Sequence, residues 1–95
     1  MKNYEIMFIV RPTLSEEDIK KTVKSFEDII TNNGGKVTET IEMGQRELAY
    51  EIKKFTTGYY YLYVVEADAA AEQEFNRVAR ISESLLRHIV VRVED

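Results

Sequence analysis

The chain has 95 residues, 44% hydrophobic and 32% charged, with a formal net charge of −4 and no cysteine. This is the length of one globular domain spanning residues 1–95, able to bury roughly 60–65% of its unfolded surface in a single core. The composition excludes disulfides, thiolate zinc sites and a thiol nucleophile, and the acidic balance argues against non-specific nucleic-acid binding while leaving room for a local basic patch.

Tyr4-Glu5-Ile6-Met7-Phe8-Ile9-Val10 reads as a first strand. It is apolar on nearly every residue, so both faces are expected to be covered and the strand central in its sheet. Arg11-Pro12 ends it, because proline cannot donate to a ladder. Met1-Lys2-Asn3-Tyr4 enters this strand-like run at once, the run is too short and too quickly interrupted for a signal peptide, and no apolar stretch approaches the ~20 residues of a membrane span. A reducing, cytoplasmic compartment is expected.

Ser15 followed by Glu16, Glu17 and Asp18 predicts a capped helix start, with acids on the positive end of the helix dipole. Ile19, Val23, Phe26, Ile29 and Ile30 then make an apolar stripe. Asn32-Asn33-Gly34-Gly35 stops the helix.

Lys36 to Met43 predicts a strand near an edge, with apolar residues at odd positions: Val37, Ile41 and Met43. Downstream they fall at even positions: Leu48, Tyr50 and Ile52. A strand alternates faces with period two, so this change of parity predicts a bulge or kink between Gly44 and Glu47. Lys53 to Gly58 reads as a turn into the strand Tyr59 to Val65, aromatic and β-branched on both faces and hence central.

Asp68 is a candidate cap for a second helix with Ala71, Phe75, Val78 and Ala79 on its apolar side. Ser82-Glu83-Ser84 breaks it, and Leu85 to Val93 forms the last strand. The inward parity of that strand is open: Leu85, Ile89, Val91 and Val93 compete with Leu86 and Val90. Glu94-Asp95 reads as a solvated end.

The order β-α-β-β-α-β predicts an α+β, ferredoxin-like fold: two right-handed crossovers, a four-stranded antiparallel sheet and both helices on one face. Catalytic chemistry is hard to assemble. His88 is the single histidine, no nucleophile-base set is indicated, and Gly34-Gly35 closes a helix where a phosphate loop would open one. No metal, cofactor or small-molecule substrate is expected.

What remains is the sheet face that the helices leave uncovered. Tyr59, Tyr60, Tyr61 and Tyr63 crowd one strand, more hydroxyls than a small core readily satisfies, so an aromatic binding face is expected. Tyr59, Tyr61, Tyr63, Leu48 and Tyr50 are the candidate contacts to a partner protein. Lys2, Arg46, Lys53, Lys54, Arg87 and Arg92 are the candidate phosphate contacts. The alternative is a free-standing RNA recognition motif stacking single-stranded RNA on Tyr59, Tyr61 or Tyr63.

Gly44-Gln45-Arg46-Glu47-Leu48-Ala49-Tyr50-Glu51-Ile52-Lys53 resembles the signature of the bacterial small-subunit ribosomal protein six family: a glycine, a basic residue two on, Leu-Ala-Tyr, then isoleucine and commonly lysine. Tyr4-Glu5, Arg11-Pro12, Asn33-Gly34, Gly58-Tyr59, Phe75, Arg80-Ile81 and Leu86-Arg87-His88 extend the likeness over the chain. Met43 stands where many members have tryptophan, and Gln45 and Glu47 where many are more basic. The resemblance implies a ferredoxin-like fold, no enzymatic activity, and a place in the central platform of the small ribosomal subunit. There the family binds 16S ribosomal RNA as a heterodimer with ribosomal protein eighteen.

Overall fold

The sheet order is set by two apolar strands that seek the middle. In the computed structural model, which describes residues 1–93, β1 (Lys2–Val10) and β3 (Phe55–Ala67) are the neighbouring inner strands. β2 (Lys36–Ile52) and β4 (Leu85–Val93) are the edges, giving β2-β3-β1-β4, antiparallel throughout. Helices α1 (Glu16–Asn32) and α2 (Ala69–Ile81) complete the order β-α-β-β-α-β. Glu94 and Asp95 lie outside the described residues.

Both helices pack on the same side. The even-numbered residues of β1 (Tyr4, Ile6, Phe8, Val10) and the odd-numbered residues of β3 (Tyr61, Tyr63, Val65, Ala67) meet Ile19, Phe26 and Ile30 of α1 and Ala71, Phe75 and Ala79 of α2. Phe8 is the hub. Its ring stacks on Tyr61 at 5.4 Å, meets Tyr63 edge-on at 5.1 Å and Phe26 at 5.8 Å, and is 6.4 Å from Phe75. Such offset and edge-on pairs add to the area they bury.

α1 starts as expected: the Ser15 hydroxyl accepts from the Asp18 amide at 3.2 Å. Asp68 occupies the N-cap position of α2 but makes no capping bond. Its carboxylate instead lies 3.7 Å from the N-terminal amine of Met1.

The change of parity in β2 is a bulge at Met43. Glu42 pairs with Tyr61 and Gly44 with Tyr60, leaving Met43 unopposed. Gly44 has φ +83°, a conformation that costs a residue with a Cβ about 1 kcal/mol. A second bulge at Thr38 lies between the pairs Val37–Val65 and Glu39–Val64, and the Thr38 hydroxyl donates to the Val64 carbonyl at 2.9 Å. It corrects the upstream parity: Val37 packs with the helices while Ile41, opposite Leu62, is on the uncovered face. A further register shift in β2 lies between Glu47 and Ile52. In β4 a bulge at Leu86 settles the ambiguity, because Ile9 pairs with Arg87 and Val10 with Leu85. Leu85, His88 and Val90 thus lie on the helix side, and Arg87, Ile89, Val91 and Val93 opposite.

The hairpin turn is shorter than its sequence indicates. Only Lys53 and Lys54 form it, with φ +50° and +70°, and β3 already begins at Phe55. Gly58 is inside the strand, and its function there is steric. A Cβ would stand 2.4 Å from Ile9 Cγ2 and 3.3 Å from the Val10 carbonyl, so the glycine lets Ile9 and Leu86 close against β3.

Candidate protein and nucleic-acid interfaces

Because directly opposed residues share a face, the strand register assigns the uncovered surface residue by residue. One row crosses the whole sheet as Ile41, Leu62, Met7 and Ile89. The row beside it runs Glu39, Val64, Glu5 and Val91; on the other side run Gly44, Tyr60, Ile9 and Arg87. Ile41, Ile89, Val91 and Val93 are 38%, 37%, 51% and 37% exposed, and Met7, Tyr60, Leu62 and Val64 are half-buried. Large aliphatic side chains left in contact with water on a continuous strip are the mark of a binding surface. Beside the apolar row lie acidic Glu5, on the inner strand between Val64 and Val91, and Glu39 and Glu66 toward β2, with Lys36 opposite Glu66 and Arg87 on β4 as the basic groups.

This corrects the expected tyrosine contacts. Tyr61 and Tyr63 point at the helices and are buried, and Tyr59 is half-buried on that same side. The Tyr63 hydroxyl donates to the Val23 carbonyl of α1 at 2.6 Å, so the core satisfies it. Burial raises the Tyr63 hydroxyl pKa above its ordinary value, with the Glu27 charge adding to the effect, and burial also raises that of Tyr61. Neither ring can stack on a base in the folded protein. Of the tyrosine run, Tyr60 alone faces the uncovered side. Leu48 is half-buried on the outgoing arm of the hairpin. Tyr50 is 59% exposed and meets Arg87, whose guanidinium donates to the Tyr50 hydroxyl and lies 5.9 Å from its ring centroid.

The six candidate phosphate contacts divide into two groups. Lys53 and Lys54 at the turn, Arg46 on the β2 arm and Arg87 on β4 are at the end of the sheet where β1 finishes. Lys2, opposite Ala67, and Arg92, opposite Tyr4, are at the other end, on the order of 25 Å away along β1. The fold adds Arg80 and His88 to the first group. Lys53, Arg80, Arg87 and His88 line one groove of about 290 Å³ between the end of α2 and the start of β4. Lys53 Nζ reaches to 3.5 Å from the Leu85 carbonyl. A larger groove of about 540 Å³ between α1 and β2 mixes Lys20 and Lys24 with Glu16, Glu27 and Glu42, and so offers no field of one sign.

Charge pairing separates the cations further. On the helices Lys20, Lys21, Lys24 and Arg77 each hold a carboxylate three or four residues away. Among the described residues, Lys2, Arg11, Lys36, Arg46, Lys53, Lys54, Arg80, Arg87 and Arg92 form no ion pair with a carboxylate. Arg46, Lys53, Lys54, Arg80 and Arg87 gather at the hairpin end of the sheet together with Arg11, which follows β1, while Lys2, Lys36 and Arg92 lie at the other end.

His88 reports on this groove. The Asn76 amide donates to Glu72 at 2.9 Å and presents its oxygen to His88 Nε2 at 3.1 Å, which fixes the proton on Nε2. Burial, and then the positive charge of Arg80, lower the imidazole pKa from its ordinary 6.5. The folded state therefore binds this proton less readily than the unfolded chain. The stabilisation is complete above pH 6.5 and is lost as pH falls below it toward the folded value. Urea midpoints measured between about pH 7.5 and about pH 5.5 should fall more steeply for the native protein than for His88→Gln, which lacks this group. Parallel curves would refute the assignment.

Among the described residues no helix is long and apolar enough to cross a membrane, and no group of three His, Asp or Glu side chains could hold a metal ion.

Comparison with known proteins agrees with the order and packing of these elements. A family model described as ribosomal protein S6 matches residues 3–92. The crystal structure of 30S ribosomal protein S6 from Thermotoga maritima is similar at a TM-score of 0.92 with 33% sequence identity, over 97% of this chain and 87% of that one. Both the sequence match and the shared ferredoxin-like architecture run nearly end to end, and the chain therefore belongs to the ribosomal protein S6 family.

Proposed function

We propose that the chain is a structural constituent of the small ribosomal subunit, acting as a single domain over residues 1–95, without catalysis, cofactor or small-molecule substrate. In this reading it is cytoplasmic and ribosome-bound. It binds 16S ribosomal RNA in the central platform as a heterodimer with ribosomal protein eighteen.

The observation that carries this reading is the apolar row Ile41, Leu62, Met7 and Ile89 on a sheet face that neither helix covers. It supplies an apolar contact surface whose neighbouring carboxylates, Glu5 and Glu39, suit a basic partner. Leu48 and Tyr50 extend it along the hairpin, and Ile41, Leu62, Met7 and Ile89 take the place first given to Tyr59, Tyr61 and Tyr63. Phosphate contact then falls to Arg46, Lys53, Lys54 and Arg87 at the hairpin end, with Lys2 and Arg92 at the far end, mostly without base reading. A single-stranded RNA binder using Tyr59, Tyr61 and Tyr63 has less support, because Tyr61 and Tyr63 are buried.

A net charge of −4 gives the chain little affinity for RNA until a partner adds positive charge. Filter-binding titration against a platform fragment of 16S ribosomal RNA should show weak retention with this protein alone and tight retention once ribosomal protein eighteen is added. Tight binding without the partner would overturn the proposal.

A further inference from the structure

The turn between β2 and β3 is built from the wrong residues for its shape. A two-residue hairpin turn with positive φ at both central positions is normally filled by Asn-Gly, Asp-Gly or Gly-Gly, because residues with a longer side chain are strained there. Here Lys53 and Lys54 hold φ +50° and +70°. Local strain of this kind persists where the side chains are needed for something other than the fold. The Lys53 side chain does not lie along the turn. It enters the groove between α2 and β4, where Arg80 and Arg87 also arrive and no carboxylate lines the walls.

Arg80 is in the last turn of α2, where its charge offsets the negative end of the helix dipole. Arg87 is held by its contacts with the Tyr50 ring and hydroxyl. The groove is therefore a concave site with cations from three elements and no internal counter-ion.

We propose that this groove clasps the RNA backbone: Lys53, Arg80 and Arg87 hold a phosphodiester group, Lys54 meets a neighbouring one, and the two-lysine turn keeps a strained backbone in exchange for that charge. The inference rests on the RNA-binding reading above and adds to it where the phosphates sit. It also makes the groove contribute affinity and salt dependence without reading sequence.

The test uses the double variant Lys53→Asn with Lys54→Gly in the full chain. Its urea midpoint should rise, since Asn-Gly relieves the turn. Its heterodimer with ribosomal protein eighteen should bind the platform RNA fragment more weakly, and the slope of log affinity against log salt should become shallower by about one to two. Arg80→Gln should give a smaller change of the same sign. Lys2→Ala with Arg92→Ala, at the other end of the sheet, should leave the contribution of the groove intact, so that its salt slope still falls when the lysine pair is changed.

Native heterodimer that fails to retain the RNA would overturn the underlying reading. Native heterodimer that binds while the turn variant binds with unchanged affinity and slope would overturn this inference alone. Weakened heterodimer formation in the turn variant, with RNA affinity unchanged once excess ribosomal protein eighteen saturates it, would also overturn it and assign the groove to the protein partner. No gain in the urea midpoint would refute the strain.

Discussion

Replacing Phe8 by alanine should destabilise the protein by about 3–5 kcal/mol, the usual cost of removing a fully buried aromatic ring. Phe8 has no exposed surface and contacts both helices and the neighbouring strand through Phe26, Phe75, Tyr61 and Tyr63. The cavity would open where the helix layer meets the two central strands, and the ordered backbone around it cannot collapse without moving β1. A protein of this size typically has about 5–15 kcal/mol of net stability, so the variant should be marginal. Its thermal midpoint should fall by roughly 12–40 °C, taking about 4–8 °C per kcal/mol for a domain of this length. Urea denaturation followed by circular dichroism measures the loss directly. A loss below about 1 kcal/mol would mean that the ring is not the centre of the core. Phe55, only partly buried at the start of β3, is the internal comparison and should tolerate the same change far better.

The contrast between Phe8 and the tyrosine run shows what the chain discloses on its own. Strand β1 was legible because nearly every residue in it is apolar, and α1 because Ile19, Phe26 and Ile30 recur at helical spacing behind a working Ser15 cap. The bulge beside Gly44 was legible because a glycine coincides with a shift in parity. The bulge at Thr38 was not, because threonine is an ordinary strand residue and the hydroxyl bond to Val64 joins positions far apart in sequence. Consecutive tyrosines carry no period. Which of them face the core is decided by the register that places Tyr61 opposite Phe8, a pairing that no local pattern encodes.

Glycine misled in the turn for a related reason. Gly58 is a turn former by composition, yet it serves as a clearance for Ile9, while the real turn is made by two lysines. The basic groove was partly visible. Lys53 and Arg87 stood out as exposed cations, but their meeting with Arg80 depends on how the end of α2, the start of β4 and the hairpin tip converge. Proximity of that kind belongs to the topology.

Leu62→Lys should abolish association with the partner protein while leaving the fold intact. Leu62 is half-buried at the middle of the uncovered sheet face, between Ile41 on β2 and Met7 on β1, and is not among the residues that pack against the helices. In the free protein a lysine there can keep its stem on the sheet and its ammonium in water, so the stability change should stay within about 1 kcal/mol. In the complex that ammonium would be confined at the centre of the contact, where charged residues are depleted because their desolvation is uncompensated. The carboxylates of Glu5 and Glu39 in the adjoining row suit a basic partner, so the new charge would also repel it. A penalty of about 3 kcal/mol corresponds to a loss in affinity of more than a hundredfold. Calorimetric titration of ribosomal protein eighteen into the two proteins reads that loss, and urea denaturation of each establishes that the fold is retained. If Leu62→Lys binds the partner as the native chain does, the apolar row is not the interface, and the partner must be held by the hairpin or by the free edge of β2.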